Sequence, residues 1–380
     1  MIMLKAALKI LSIIEDNGFE AYIVGGFVRD YLLNVSSNDV DITTNATPKD
    51  LKTIFADACL SKNMYGSVTV IYKKVRFEIT TYRSETTYCD NRRPSSIAYI
   101  QDLTTDLKRR DFTINTICMD KHKKIIDPLN GRVDLKQEII RTIDEPIASF
   151  QQDVLRILRA IRFATTLHFS LAPEVEEAIL QTKYLLSNLS FQRKKEELTK
   201  IFASSNVLYG IKLLQSLQLD EELSLMKLEQ IVPCSQVIGI WTMLEVDNIY
   251  PFTRNERKQM EDIRACLKSH PLSLKTLYQY GLYPCTVAGE ILGLDKKTII
   301  KTYTNLPIHK RSDLAVTSEE ILKYLQVQPG PFLNEIYCQL EELVLEKKIT
   351  NKKKPLLKTC QLLYPMIIKK EENHESRNFK

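Results

Sequence analysis

Near Ser149 the chain changes its periodicity, and this change constrains the fold more than any other feature. From Ala21 to about Ile143, alternating strand-like stretches (AYIV, DVDIT, SVTVIY, VRFEITTY) are interleaved with helix-like ones, such as that beginning at Phe27. After Ser149 the strand pattern ends. Long helical patterns follow, punctuated by Pro173, Pro233, Pro251, Pro271, Pro284 and Pro307. The expected class is α+β, a mixed-sheet head followed by an all-helical remainder. The 380 residues exceed what one core usually holds, so two to four modules are expected. No fixed-period repeat is visible, and VDNIYPFTRNERK and residues 305–312 read as connections between helical subdomains.

A content of 44% hydrophobic and 26% charged residues is that of an ordinary globular protein. The net charge of +6 and pI near 8.7 suit a polyanionic partner without requiring one. Eight cysteines occur with no C-x-x-C pair, which argues against a zinc ribbon or a redox motif and predicts buried, reduced thiols in a cytoplasmic protein. The opening MIMLKAALKILSIIEDNGF is interrupted by Lys5 and Lys9 and places Leu4, Leu8 and Leu11 at helical spacing, so it predicts an amphipathic first helix. No membrane span is expected, because no apolar run approaches the roughly 18 residues required. The lysine-rich EKKITNKKKPLLK (346–358) reads as a basic helix end with a solvated face, followed by a frayed tail.

The sharpest local feature is GGFVRD (25–30) followed by DVD (39–41). In a strand, alternation turns Asp39 and Asp41 to one side and Val40 and Ile42 to the other. Two adjacent carboxylates repel unless a cation sits between them, and hard oxygen donors suit Mg²⁺ bound together with substrate phosphates. In VRFEITTY the same alternation sets Arg76, Glu78 and Thr80 opposite Val75, Phe77 and Ile79, which makes Glu78 a candidate third carboxylate. Three acids suffice for a two-metal reaction in which one ion activates a hydroxyl and the other stabilises a leaving pyrophosphate. Gly25 and Gly26, between a strand and a helix, let backbone N–H groups approach phosphates, with Arg29 one turn further on. A lone D-x-D or G-G is commonly a polar edge or a turn; the compound pattern is far more specific.

Residues 149–165 have helical spacing, with Asp153, Arg156, Arg159 and Arg162 at successive three-residue steps and Leu155, Leu158 and Ile161 packing the other side. An isolated D-x-x-R is commonly a salt-bridged helix surface. As a paired edge it offers an acceptor beside a donor. Such an edge matches the amino group and ring nitrogen of cytosine or adenine, and mismatches guanine and uracil.

Taken with RRDFTIN (109–115), DPLNGRVDL (127–135), QQDVLRILRAIRF (151–163), FQRKKEEL (191–198) and LPIHKRSDLAVTSEEILKYLQVQPGPFLNEI (306–336), the chain resembles the class II CCA-adding enzymes. These are tRNA nucleotidyltransferases, grouped with the poly(A) polymerases, and the match is to the bacterial branch without an HD domain. The absence of an H-D pair among the five histidines agrees.

The resemblance implies a polymerase-β-like catalytic head over 1–144, a base-reading helical neck over 145–215, a helical body over 216–304 and a tRNA-binding helical tail over 305–372. It implies CCA addition to tRNA from CTP and ATP without a template, with Mg²⁺ held by Asp39 and Asp41 and with Glu78 also catalytic. Nucleotide-binding residues implied are Gly25, Gly26, Arg29, Arg110, Asp111, Asn115, Asp153, Arg156, Arg159 and Arg162, with Asp111 and Asn115 on the ribose. Gln152 and Gln192 stand where the family usually has Glu, a departure that bears on fidelity. The stretch between Glu85 and Lys108 reads as a full-length flexible loop, favouring complete CCA addition over the CC-only or A-only alternative. A non-catalytic RNA-binding relic is disfavoured by the two intact aspartates. A small-molecule nucleotidyltransferase is disfavoured by the long helical extension. Oligomeric state is left open, a homodimer included.

Overall fold

The computed structural model describes residues 2–37, 39–55, 59–60, 66–85, 88–89, 93–94 and 97–378. Contacts divide the chain into two compact units. One comprises Met1–Glu229 with Asn248–Pro251, the other Gln230–Asp247 with Phe252–Lys380.

The first unit opens with α1 (Ile2–Asp16), which buries Ala7, Ile10, Leu11 and Ile14, while Leu4 and Leu8 are only half-buried at its margin. Seven strands, β1 (Ala21–Val24), β2 (Asp41–Thr44), β3 (Cys59–Leu60), β4 (Ser67–Tyr72), β5 (Val75–Thr81), β6 (Cys118–Met119) and β7 (Ile125–Ile126), form one mixed sheet. Their order is β7-β6-β1-β2-β5-β4-β3. The β2–β5 pair is parallel, and its register sets Asp41 opposite Glu78. On β5 the expected alternation holds: Phe77, Ile79 and Thr81 are buried, and Arg76 is exposed.

The D-V-D expectation needs one correction: β2 begins at Asp41, and Asp39 lies in the exposed segment before it. Burial still alternates, with Val40 and Ile42 in the core, so the side chains keep the predicted parity although pairing with β1 starts only at Asp41.

A larger correction concerns residues 149–165. Instead of one helix there are two, α2 (Pro146–Gln152) and α3 (Leu155–Leu167), with Asp153 extended between them. The Asp153 carboxylate accepts the Leu155 N–H at 3.1 Å, so it caps the second helix where a helical conformation would leave that donor without its side-chain partner. Strand pairing also does not stop at Ser149, because Ser170–Leu171 pairs in parallel with Ile139–Ile140.

In the second unit all described elements are helical, around a core that includes Ile263, Leu277, Ile299, Ile321, Ile336, Leu340 and Leu356. Capping boxes at Thr253–Glu256 and Thr317–Glu320 start two of its helices. Its last helix runs Lys353–Asn378, through the stretch expected to fray; Glu and Lys are good helix formers and sustain it. Cys118, Cys266, Cys285 and Cys360 are buried free thiols as expected, whereas Cys338 is exposed and Cys234 half-buried. Among the described residues no helix is long and apolar enough to cross a membrane. The stretch 86–96, central to the flexible-loop expectation, falls largely outside the described residues.

Candidate active site

Asp41 and Glu78 leave their strands on the same face and open onto a cavity of about 190 Å³. Its other walls come from Ser67 and Thr80, whose hydroxyls lie 2.9 Å apart, and from Arg83, Arg109 and Arg110. Two acids thus face three guanidinium-bearing residues across a small polar space. Gly25 adopts φ 79°, a left-handed conformation that glycine tolerates best. A Cβ there would stand 3.4 Å from Arg110 Nη1 and 4.0 Å from Asp41 Oδ2, so the turn lies against both groups.

Asp41 keeps solvent access at the cleft mouth, but its carboxyl has lost much of its hydration and is pushed up. Arg110 opposes that rise, and repulsion from Glu78 and Asp39 adds to it. Arg110 has a buried Nε without a hydrogen-bond acceptor, an orphaned donor that an anionic ligand would satisfy. Among the described residues no group of three acids, histidines or cysteines closes into a metal cage. Two carboxylates on adjacent strands nonetheless fit a hard divalent cation that completes its shell with water and phosphate oxygens.

A second set of predicted residues forms a continuous polar chain beside this cavity. Arg29 does not point into it; its Nη1 donates to Asn115 Oδ1 at 2.9 Å, and its Nε and Nη2 donate to Asp30. Asn115 Nδ2 donates to Asp111 Oδ1 at 3.0 Å, and Arg159 Nε donates to Asp111 Oδ2 at 2.7 Å. Burial works against the Asp111 charge, but Arg159 and the Asn115 amide outweigh it and hold the carboxyl at about 2. The Phe163 ring carries three guanidiniums, those of Arg29, Arg159 and Arg162 at 5.1, 5.5 and 4.3 Å from its centroid. Arg162 also pairs with Glu197 at 3.1 Å on the helix Phe191–Phe202.

Arg156 is bonded beside the first set and lies near Asp111 of the second. Its Nη2 donates to the Arg109 carbonyl at 2.9 Å and its Nη1 to Ser149 Oγ at 2.7 Å, which accounts for its burial. Asp153 lies close enough for Arg156 to lower its carboxyl, against a stronger upward push from burial. The described geometry therefore brings together Gly25, Asp41, Glu78 and Arg110, and separately Arg29, Asp111, Asn115, Arg159 and Arg162. It leaves Asp39 exposed ahead of β2, and sets Gly26 at the first position of the helix Gly26–Leu32. Gln152 ends α2, and Gln192 donates to Glu196 at 2.9 Å on the surface.

Sequence reasoning set Thr80 on the Glu78 face without giving it a role, and did not single out Arg83, Ser67 or Asp106. Of these only Asp106 had a usable signal, standing three and four residues before Arg109 and Arg110.

Comparison with known proteins fits this arrangement. The Poly A polymerase head domain model matches residues 21–141, and a tRNA nucleotidyltransferase domain 2 model matches residues 249–360. A CCA-adding enzyme of Lactobacillus helveticus is 35% identical over 91% of this chain and 94% of its own length. The chain belongs to the CCA-adding enzyme family. That family is one of nucleotidyltransferases, and this chain is of the bacterial class II type. The family's Anoxybacillus flavithermus CCA-adding enzyme is 34% identical over 93% of this chain and 95% of its own. The Bacillus stearothermophilus CCA-adding enzyme, solved in complex with CTP, superimposes with a TM-score of 0.84 at 27% identity, covering 98% of this chain and 99% of that one. The Thermotoga maritima CCA-adding enzyme complexed with tRNA shares the fold at a TM-score of 0.68 and 20% identity, over 95% of each chain.

Proposed function

We propose that this protein is a cytoplasmic enzyme that completes the 3′-terminal CCA of tRNA from CTP and ATP without a template, releasing pyrophosphate. The observation that carries the reading is the register pairing of Asp41 with Glu78, facing Arg83, Arg109 and Arg110, in a chain similar over nearly its whole length to CCA-adding enzymes.

In this reading residues 1–144 form the catalytic head, 145–215 the neck, 216–304 the body and 305–372 the tail that grips tRNA. Asp39 and Asp41 would hold Mg²⁺, with Glu78 beside them as a further catalytic carboxylate; when bound, the ion would supply a Lewis acid that stabilises charge on the attacking hydroxyl and the leaving pyrophosphate. Gly25 and Gly26 let backbone approach the triphosphate, and Arg110, with its orphaned Nε, binds it. Asp111 and Asn115, held by Arg159 and Arg29, receive the ribose. Asp153 accepts the amino group of C or A, and Arg156 turns from the Arg109 carbonyl to donate to the ring nitrogen. Arg159 and Arg162 support the base from α3.

The test is extension of a tRNA transcript ending at the discriminator base, with Mg²⁺ and each nucleotide alone and together, beside an Asp39→Ala/Asp41→Ala control. Stepwise addition of C, C and A, abolished in the control, is the expected result. Addition that stops after CC, or that requires a tRNA already ending in CC, would identify a split-activity enzyme instead. No addition at all would overturn the reading.

A further inference from the structure

We propose that Asp106 is a positioning residue for the nucleoside triphosphate, a role that rests on the nucleotidyltransferase reading above. Its buried carboxylate fixes Arg109 and Arg110 on the cleft wall and keeps Arg110 from closing onto Asp41.

Asp106 lies in the helix Leu103–Lys108 and is fully buried. A carboxylate in that position is costly unless every oxygen is paired, and here both are. Oδ1 accepts Arg109 Nε at 2.9 Å and the backbone N–H of Arg83 at 3.1 Å. Oδ2 accepts Thr43 Oγ1 at 3.1 Å and lies 3.9 Å from Arg110 Nη2. The donors come from three segments: β2, the strand Arg83–Glu85 that follows β5, and the end of the helix itself. Arg83, Arg109 and Arg110 all line the cavity that Asp41 and Glu78 open onto. One buried acid therefore bonds the Arg109 guanidinium and the Arg83 backbone and lies against Arg110.

Arg110 is the critical partner. It passes beneath Gly25, where a Cβ would lie 3.4 Å from its Nη1 and 4.0 Å from Asp41 Oδ2. The guanidinium thus lies between two carboxylates, Asp106 and Asp41. Remove the Asp106 charge, and Coulomb attraction draws Arg110 toward the acid that remains. Asp41 is then neutralised from within, and the wall loses a phosphate donor. A purely structural Asp106 would act through its Thr43 and Arg83 bonds, of which Thr43→Val removes the first and Asp106→Asn keeps the second.

The experiment compares wild type, Asp106→Asn and Thr43→Val. Asparagine keeps the shape of Asp106 and an acceptor for the Arg83 N–H. Valine removes only the Thr43 hydroxyl. Ligand-free crystal structures, melting temperatures, and KM and kcat for CTP and for tRNA are measured on each full-length protein. Expected for Asp106→Asn are Arg110 moved to salt-bridge distance of Asp41, KM for CTP raised about tenfold or more, and KM for tRNA unchanged. Thr43→Val should lower the melting temperature and leave both KM values in place. Arg110 unmoved in Asp106→Asn, or a loss confined to melting temperature and equal in both variants, would overturn the proposal. A wild type that adds no nucleotide would instead sink the functional reading, and the position of Arg110 in the ligand-free structures would still decide the role of Asp106.

Discussion

Asp111 sits at the centre of the polar chain, and its protonation couples site geometry to stability. Its carboxylate accepts from the Phe112 N–H, Asn115 and Arg159, and its folded pKa of about 2 lies below the ordinary 3.8. A depressed carboxyl stabilises the fold above its unfolded pKa and loses that contribution as pH falls through the folded one. Wild type should therefore exceed Asp111→Asn in urea-unfolding stability by a constant margin above about pH 5, and the margin should shrink between about pH 4 and pH 2. A margin independent of pH over that range would show that the charge is not what matters. At this scale the placement of Asp41 on a strand and of Gly25 in the strand-to-helix turn was legible, because each depends on neighbours along one strand or turn. The destination of Arg29 was not. Its partner Asn115 is 86 positions away, and no local pattern encodes a contact of that range.

Breaks and close approaches between elements carry the site as much as the side chains do. The helix predicted over 149–165 is interrupted at Asp153, whose carboxylate caps α3. This gives the residue two separable duties. Asp153→Ala should cost about 1 kcal/mol of stability through the lost cap and also relax nucleotide choice. Asp153→Asn should keep the cap, through its side-chain oxygen, yet blur the discrimination of C and A from G and U. Thermal melts beside single-nucleotide incorporation of all four triphosphates would separate the two effects. Equal misincorporation by wild type and Asp153→Asn would remove the residue from base reading. Gly131 shows the same dependence in packing: a Cβ there would stand 2.1 Å from the Thr113 carbonyl oxygen, a backbone atom with little room to give. Gly131→Ala should cost about 1–3 kcal/mol in denaturant unfolding. An unchanged midpoint would mean the turn at Thr113 shifts freely. Three-residue periodicity could not reveal the break at Asp153, because an aspartate suits a helix surface and a helix cap equally well until its backbone is placed.

For the whole molecule, the mildly basic charge and the exposed lysines Lys347, Lys352, Lys354 and Lys358 of the second unit are the features an RNA partner would use. tRNA affinity should fall linearly on a log–log plot against salt, and charge reversal at Lys352 and Lys354 should flatten the slope. A slope unchanged in that variant would move the RNA contact elsewhere. The sequence by itself determined the α+β class, the strands Ala21–Val24 and Ser67–Tyr72 to the residue, the parity of Val40, Asp41 and Ile42, and the family resemblance. Each of these rests on periodicity or on motifs a few residues long, where side-chain direction follows from backbone geometry alone. The tertiary structure decided that Asp41 faces Glu78 across a parallel pair, that Arg156 is bound to the Arg109 carbonyl, and that Asp106 accepts from three segments. Those facts depend on which distant segments share a neighbourhood. Sheet order and the pairing demands of buried charge fix that, and neither is a local property of the chain.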